Sequence, residues 1–313
     1  MLPRALMFTP EYRDYIWGGQ HLRPGVLTAE AWVVYENDHI VSGPLTNQTL
    51  GEVSAQYGPA LLGQAAIERR GLRFPLLIKL LDCNQWLSLQ VHPNDWQAVQ
   101  LEGLGQNGKT EAWYILDAAA DAKIIAGLKP GTTADGLAKA IRQGTILDIA
   151  QFQPVKTGDT IFMRAGTIHA LGPGLLVYEV QQSSDITYRV FDWNRPQTDA
   201  RPLHINKSLA VADPAAISQP LPIPVEHVGQ HQILCQSEYF TLELLNSQKQ
   251  YLELNTLGQS FHALTIIAGA ARFSCGDEQF SLSQFESLVV PAATGAYRLE
   301  PQGSGFLALK SSL

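Results

Sequence analysis

Cysteine is nearly absent from this chain. Cys83, Cys235 and Cys275 are the only three in 313 residues, odd in number and far apart, with no C-x-x-C pair. That excludes a disulfide framework and a paired-cysteine metal or redox motif. It points to inert thiols in a reducing cytosol. Long apolar runs are missing too: none approaches the roughly 18 residues that a spanning helix needs. The segment Met1–Met7 lacks the apolar core of a signal peptide. A cytoplasmic protein with no membrane partner is expected. Positive charge is in deficit, 22 Lys and Arg against 29 Asp and Glu, for a net charge of -7. Non-specific nucleic-acid binding draws on clustered Lys and Arg, so no nucleic-acid partner is expected. An anionic small molecule stays open, because the field inside a pocket decides. Internal repeats and low-complexity tracts are also lacking, which excludes solenoids and arrays.

What the chain does have is 45% hydrophobic residues, enough for a large core. Short β-like runs dominate, broken by Gly, Pro, Asn and Asp. Runs at Ala31–Tyr35, Leu76–Leu80, Leu87–His92, Ala112–Leu116, Thr160–Met163 and Leu175–Gln181 form one set. A second set falls at Thr241–Leu244, Ala263–Ile267, Ala271–Cys275, Leu288–Val290 and Tyr297–Leu299. Many short strands with turns between them predict a mainly β protein of sandwiches or barrels. Helical patterns are few. Thr133 is placed to cap a helix through Leu137, Ile141 and Ile146, with Gly144 splitting it. Others are expected after Asn94 or Asp95, at Ala60–Glu68 and at Asn206–Val211. Pro214, Pro220, Pro222 and Pro224 resist regular structure. They place a boundary between a domain at 1–213, with a helical insertion near 131–152, and a second at 214–313.

The chemistry concentrates in three stretches. In Trp86-Leu87-Ser88-Leu89-Gln90-Val91-His92, the residues Leu87, Leu89 and Val91 alternate with Ser88, Gln90 and His92. A strand puts alternate side chains on one face, so one face is apolar and the other offers a hydroxyl, an amide and an imidazole. Pro93 then stops the ladder. In Gly108-Lys109-Thr110-Glu111-Ala112-Trp113-Tyr114, Lys109, Glu111 and Trp113 share a face. Ala165-Gly166-Thr167-Ile168-His169-Ala170-Leu171-Gly172 is expected to return as a hairpin carrying His169 after the strand Thr160–Met163. Two imidazoles and a carboxylate on separate strands can meet inside a barrel and leave coordination positions open, as catalytic metal sites require. Gln90 can add an amide oxygen. Zinc is the first choice, with iron, manganese or cobalt as alternatives. The other histidines, His21, His39, His204, His227, His231 and His262, are taken as surface or satisfied core residues.

These runs, in this order, resemble the type I phosphomannose isomerases of the shorter bacterial kind. The resemblance is carried by Ser88–Asp95, Gly108–Tyr114, Ala165–Gly172 and Gln181-Gln182-Ser183-Ser184-Asp185-Ile186-Thr187-Tyr188-Arg189-Val190-Phe191-Asp192. Tyr15-Ile16-Trp17-Gly18-Gly19 and Glu30-Ala31-Trp32 support it, and the motifs span roughly residues 8–210. It implies two cupin-type jelly rolls, the first catalytic with a small helical insertion. The second, where Gly295-Ala296-Tyr297 follows Glu286–Pro291 without a histidine, is expected to be metal-free. It implies interconversion of mannose 6-phosphate and fructose 6-phosphate, usually with one zinc ion. His92, Glu111, His169 and, less firmly, Gln90 fall on the family's metal positions. Arg189, Lys109 and Asp185 fall on pocket positions, and Ser88 near a phosphate position. Arg164 departs from the usual cupin proline before Ala165-Gly166.

On that reading Arg189 faces the reacting oxygens, and Lys109 adds positive potential or binds phosphate with Ser88. Asp185 is a candidate base, with a metal-bound hydroxide as the other; the alternative role of Asp185 is to orient Arg189. Glu179 is a candidate partner for the second N–H of a ligand imidazole. The expected partner is a sugar phosphate, with the chain a monomer or homodimer. Rival readings of the same ligands are a non-haem iron oxygenase and a non-catalytic sugar-phosphate sensor.

Overall fold

The computed structural model describes residues 1–196, 198, 199, 201–222 and 231–313. Pro224 and His227, both named above, lie outside them. Backbone contacts divide the chain into two compact units.

One unit comprises Tyr12–Glu30 and Leu80–Ile223. It contains a five-stranded sheet in the order Tyr188–Phe191, Leu89–Val91, His169–Leu171, Lys123–Leu128, Ala150–Pro154. A second group of strands, Leu175–Gln182, Glu111–Ala118 and Thr160–Met163, pairs antiparallel. Alternation explains how the two groups close on each other. From the first sheet Ile124, Ala126 and Leu171 join a buried cluster with Trp113, Ile115, Ile161, Met163, Leu175 and Val177 from the second. The intervening residues Ile125, Leu89, Val91, Ala170, Tyr188 and Val190 join a different cluster. That outer face is covered by helices Ala134–Gln143, Ile146–Ile149 and Ile205–Val211. His169, Gln90 and Arg189 therefore point inward with Leu171, and Glu111, Glu179 and Gln181 point inward with Trp113 and Val177.

The helical insertion forms as the sequence predicts. Thr133 accepts from the Gly136 N–H, and Gly144 ends the helix in a left-handed conformation at φ 71°. Asn94 and Gln97 close a capping box on helix Asp95–Glu102. The expected hairpin before His169 is not formed. Thr160–Met163 pairs with Glu111–Tyr114, whereas His169–Leu171 pairs with Gln90 and with Ile124–Ala126. The link between them crosses from one sheet to the other. The strand Lys123–Leu128, absent from the sequence reading, supplies the central partner.

The other unit comprises Met1–Glu11, Ala31–Lys79 and Pro224–Leu313. Its eight-stranded sheet runs Leu6–Met7, Ser287–Val290, His262–Cys275, Ala296–Ser312, Thr241–Ser247, His231–Gln236, with Leu252–Asn255 and Glu278–Ser283 attached. The two runs expected at Ala263–Ile267 and Ala271–Cys275 are one continuous strand with register shifts between Ile266 and Ala268 and between Gly269 and Ala270. The helix expected over Ala60–Glu68 is two, Pro59–Leu62 and Gln64–Arg70, divided at Gly63. There φ is +88°, and a Cβ would lie 2.1 Å from the Gln259 carbonyl oxygen. Helix Leu50–Tyr57 was not foreseen, although Thr49 and Glu52 carry a capping-box signature that forms in full. The partition at 213/214 is not the one the contacts follow, because N-terminal segments pack with the C-terminal strands.

Candidate metal centre

His92, Glu111 and His169 are brought together at one end of the first barrel. They lie on or beside three different strands, and one ligand atom from each lies within 4.8 Å of the others. All three are buried, at 2%, 0% and 1% exposure. His92 Nε2 stands 3.6 Å from Glu111 Oε2, and His169 Nε2 stands 3.3 Å from Glu111 Oε1.

The protein orients each imidazole from behind. His92 Nδ1 donates to the Ile186 carbonyl and His169 Nδ1 to the Thr167 carbonyl, both at 2.8 Å. A carbonyl only accepts, so Nδ1 carries a hydrogen in both rings, and Nε2 of each ring is turned toward Glu111. Burial pushes the His169 pKa down to about 4, so this ring is neutral near pH 7. Neutral imidazole is the form that binds a metal. Glu111 Oε1 is buried without a hydrogen bond. Such an oxygen costs free energy unless a cation compensates it. Two imidazole nitrogens and a carboxylate thus fit a divalent ion of the zinc type.

Gln90 and Arg189 extend the row. Gln90 is directly opposite His169 on one side and Arg189 on the other. Its amide nitrogen is 3.3 Å from His169 Nε2. Arg189 is half-buried and donates through Nη1 to the Pro202 carbonyl at 3.0 Å. Burial, then repulsion from Arg201, lowers its pKa.

Lys109 Nζ lies 2.9 Å from Glu111 Oε2 and 3.9 Å from Glu179 Oε1. Burial opposes its charge, but the attraction of Glu111 and Glu179 outweighs that and holds the pKa above the ordinary lysine value. Glu179 does not receive an imidazole N–H as the sequence suggested. Its Oε2 accepts from the Trp113 indole at 2.9 Å, because backbone carbonyls already serve both imidazoles.

The loop before Glu111 is strapped to the loop after His92. Lys109 N–H donates to the Pro93 carbonyl, and Asp95 Oδ1 accepts from Gly108 N–H at 2.8 Å and from the Gln182 amide at 2.9 Å. Asn107 donates to the Ser183 carbonyl, and Ser184 Oγ donates to the Asn107 carbonyl. Asp185 is exposed in the same loop. No ion pair joins it to Arg189 among the described residues, though its charge acts on Lys109 and Tyr15. Ser88 is buried, two residues before Gln90. Sequence reasoning missed the contribution of His204, whose ring contacts Arg189. A cavity of about 500 Å³ opens at the opposite strand ends, lined in part by His21, Asp82, Asp117 and Gly174. It holds none of the residues singled out for chemistry.

Residues 6–112 match the family model described as phosphomannose isomerase type I, catalytic domain. Mannose-6-phosphate isomerase ManA of Bacillus subtilis (strain 168) is 33% identical, covering 96% of this chain and 97% of that protein. The mannose-6-phosphate isomerase of Streptococcus mutans is also 33% identical, over 96% of each chain. The crystal structure of mannose 6-phosphate isomerase from Bacillus subtilis superposes with a TM-score of 0.87 at 29% identity, covering 99% of this chain and 100% of that one. A zinc-bound mannose 6-phosphate isomerase, 16% identical, shares the fold with a TM-score of 0.75 over 98% of this chain and 99% of that one.

Proposed function

The chain belongs to the type I phosphomannose isomerases, and from that premise we infer that it interconverts mannose 6-phosphate and fructose 6-phosphate. The reaction is an aldose–ketose isomerisation through an enediolate. The observation that carries this reading is the convergence of two imidazoles and a carboxylate in a buried, inward-facing corner. His92, Glu111 and His169 would hold the ion, with Gln90 as a fourth ligand through its amide oxygen. Zinc bound there supplies Lewis acidity, polarising a sugar oxygen and favouring negative charge on it.

The chain's own residues supply the rest. Isomerisation moves a proton between C1 and C2, so one group must take it from one carbon and return it to the other. Lys109, held protonated between two carboxylates, does not accept that proton. It contributes fixed positive potential. Arg189 faces the same interior and stabilises the enediolate oxygens, a contribution that counts toward rate only as charge develops. Asp185 is assigned as the base, an exposed carboxylate whose charge reaches Lys109 and Tyr15. Ser88, on the Gln90 face, is assigned to the phosphate group together with Lys109. The three free cysteines support a cytoplasmic location. Among the described residues, no helix is long and apolar enough to cross a membrane.

The test is a coupled assay for fructose 6-phosphate formed from mannose 6-phosphate. Activity should vanish on chelation and return with zinc. Turnover that survives complete metal removal would overturn the assignment.

A further inference from the structure

We propose that His204 is a positioning residue for Arg189, holding it where the isomerisation needs it. The inference rests on the role assigned to Arg189 above.

Tyr188–Phe191 is an edge strand of the five-stranded sheet, paired on one side with Leu89–Val91. On the open side the backbone groups of Arg189 need partners that a neighbouring strand would ordinarily give. His204 gives both. Its Nδ1 accepts from Arg189 N–H at 3.2 Å, and its own N–H donates to the Arg189 carbonyl at 2.8 Å. The imidazole thus takes the place of a strand carbonyl. Two residues earlier, the Pro202 carbonyl accepts from Arg189 Nη1. One short segment therefore grips Arg189 at its amide, carbonyl and guanidinium.

The grip has a purpose. Burial and Arg201 both work against the charge of Arg189, and its Nε is buried without a hydrogen bond. A guanidinium with unspent donors settles elsewhere unless its backbone is held. The ring must stay neutral to accept at Nδ1. Burial first, then Arg189 and Lys207, favour the neutral form against the opposing pull of Glu102. The ring packs near Tyr188, with centroids 6.1 Å apart.

Asparagine places an oxygen where histidine places Nδ1, whereas leucine keeps bulk and removes the acceptor. In His204→Leu, kcat should fall about tenfold with zinc content unchanged, since a small misplacement at a reacting centre costs this much or more. His204→Asn should stay within about threefold of the parent enzyme. In an Arg189→Ala background, His204→Leu should cost nothing further. If His204→Asn fails as badly as His204→Leu, or if the tenfold loss persists without Arg189, the positioning role is wrong. If Arg189→Ala alone turns over at the parent rate, the assignment of Arg189 fails first, and this inference with it.

Discussion

Glu111 carries two burdens: in the proposed site it is the anionic ligand, and it is the partner that keeps Lys109 charged. Glu111→Gln keeps the shape and removes the charge. Zinc content by atomic absorption should fall well below one per chain, and turnover should drop by about a hundredfold or more. Asp185→Asn should behave in the opposite way, retaining zinc while kcat falls about a hundredfold, as for loss of a general base. Parent-level turnover in that variant would remove Asp185 from the mechanism. Away from the site, His262 is buried against the Tyr297 hydroxyl at 2.7 Å. Burial first, then Lys310 and His231, lower its pKa from 6.5 to about 3. Across that window the unfolded chain takes up a proton that the folded chain refuses. Stability is therefore full above pH 6.5 and lost as pH falls toward 3, by at most about 1.4 kcal/mol per pH unit. Urea unfolding of His262→Gln should show a shallower acid slope than the parent protein.

At the scale of elements, the distance between His92 and Glu111 depends on how two loops are laced. Gly108 sits where a Cβ would lie 2.5 Å from the Asn94 carbonyl carbon and the Asp95 nitrogen. Backbone cannot yield as a flexible side chain can. Gly108→Ala should push the Lys109–Glu111 segment away from Pro93–Asp95, destabilising the fold by about 1–3 kcal/mol. It should also weaken zinc binding in a competition titration with a chelator, and unchanged affinity would show that the lacing does not set the ligand distance. The strand around Gln90 was legible because its apolar and polar residues alternate. The strand Lys123–Leu128 was not, because Ile124, Ile125, Ala126 and Leu128 are buried on both faces. A run without alternation carries no period to read.

For the whole molecule, the N-terminal segments belong with the C-terminal strands. Leu6 and Met7 pair with Val289 and Leu288. Thr294 Oγ1 donates to the Arg4 carbonyl, and Phe261 N–H donates to the Leu62 carbonyl. The rings of Phe74 and Phe261 are 4.6 Å apart. A fragment cut at the proline-rich segment, residues 214–313, would expose the surfaces these residues cover. It should give a circular dichroism spectrum without cooperative unfolding, while the full chain unfolds cooperatively. A stable, monomeric fragment would mean that the second barrel needs no N-terminal contribution.

The sequence alone determined the residue types offered to a metal, the faces they occupy and the mainly β character, because alternation, caps and proline act over a few residues. It also carried the family resemblance, because the motifs are contiguous. Only the tertiary structure decided which strands pair, that His169 answers to Gln90 across a sheet rather than to Thr160–Met163 in a hairpin, and that His204 completes the edge beside Arg189. Those choices depend on burying faces of segments far apart in the chain, and no local pattern names the partner.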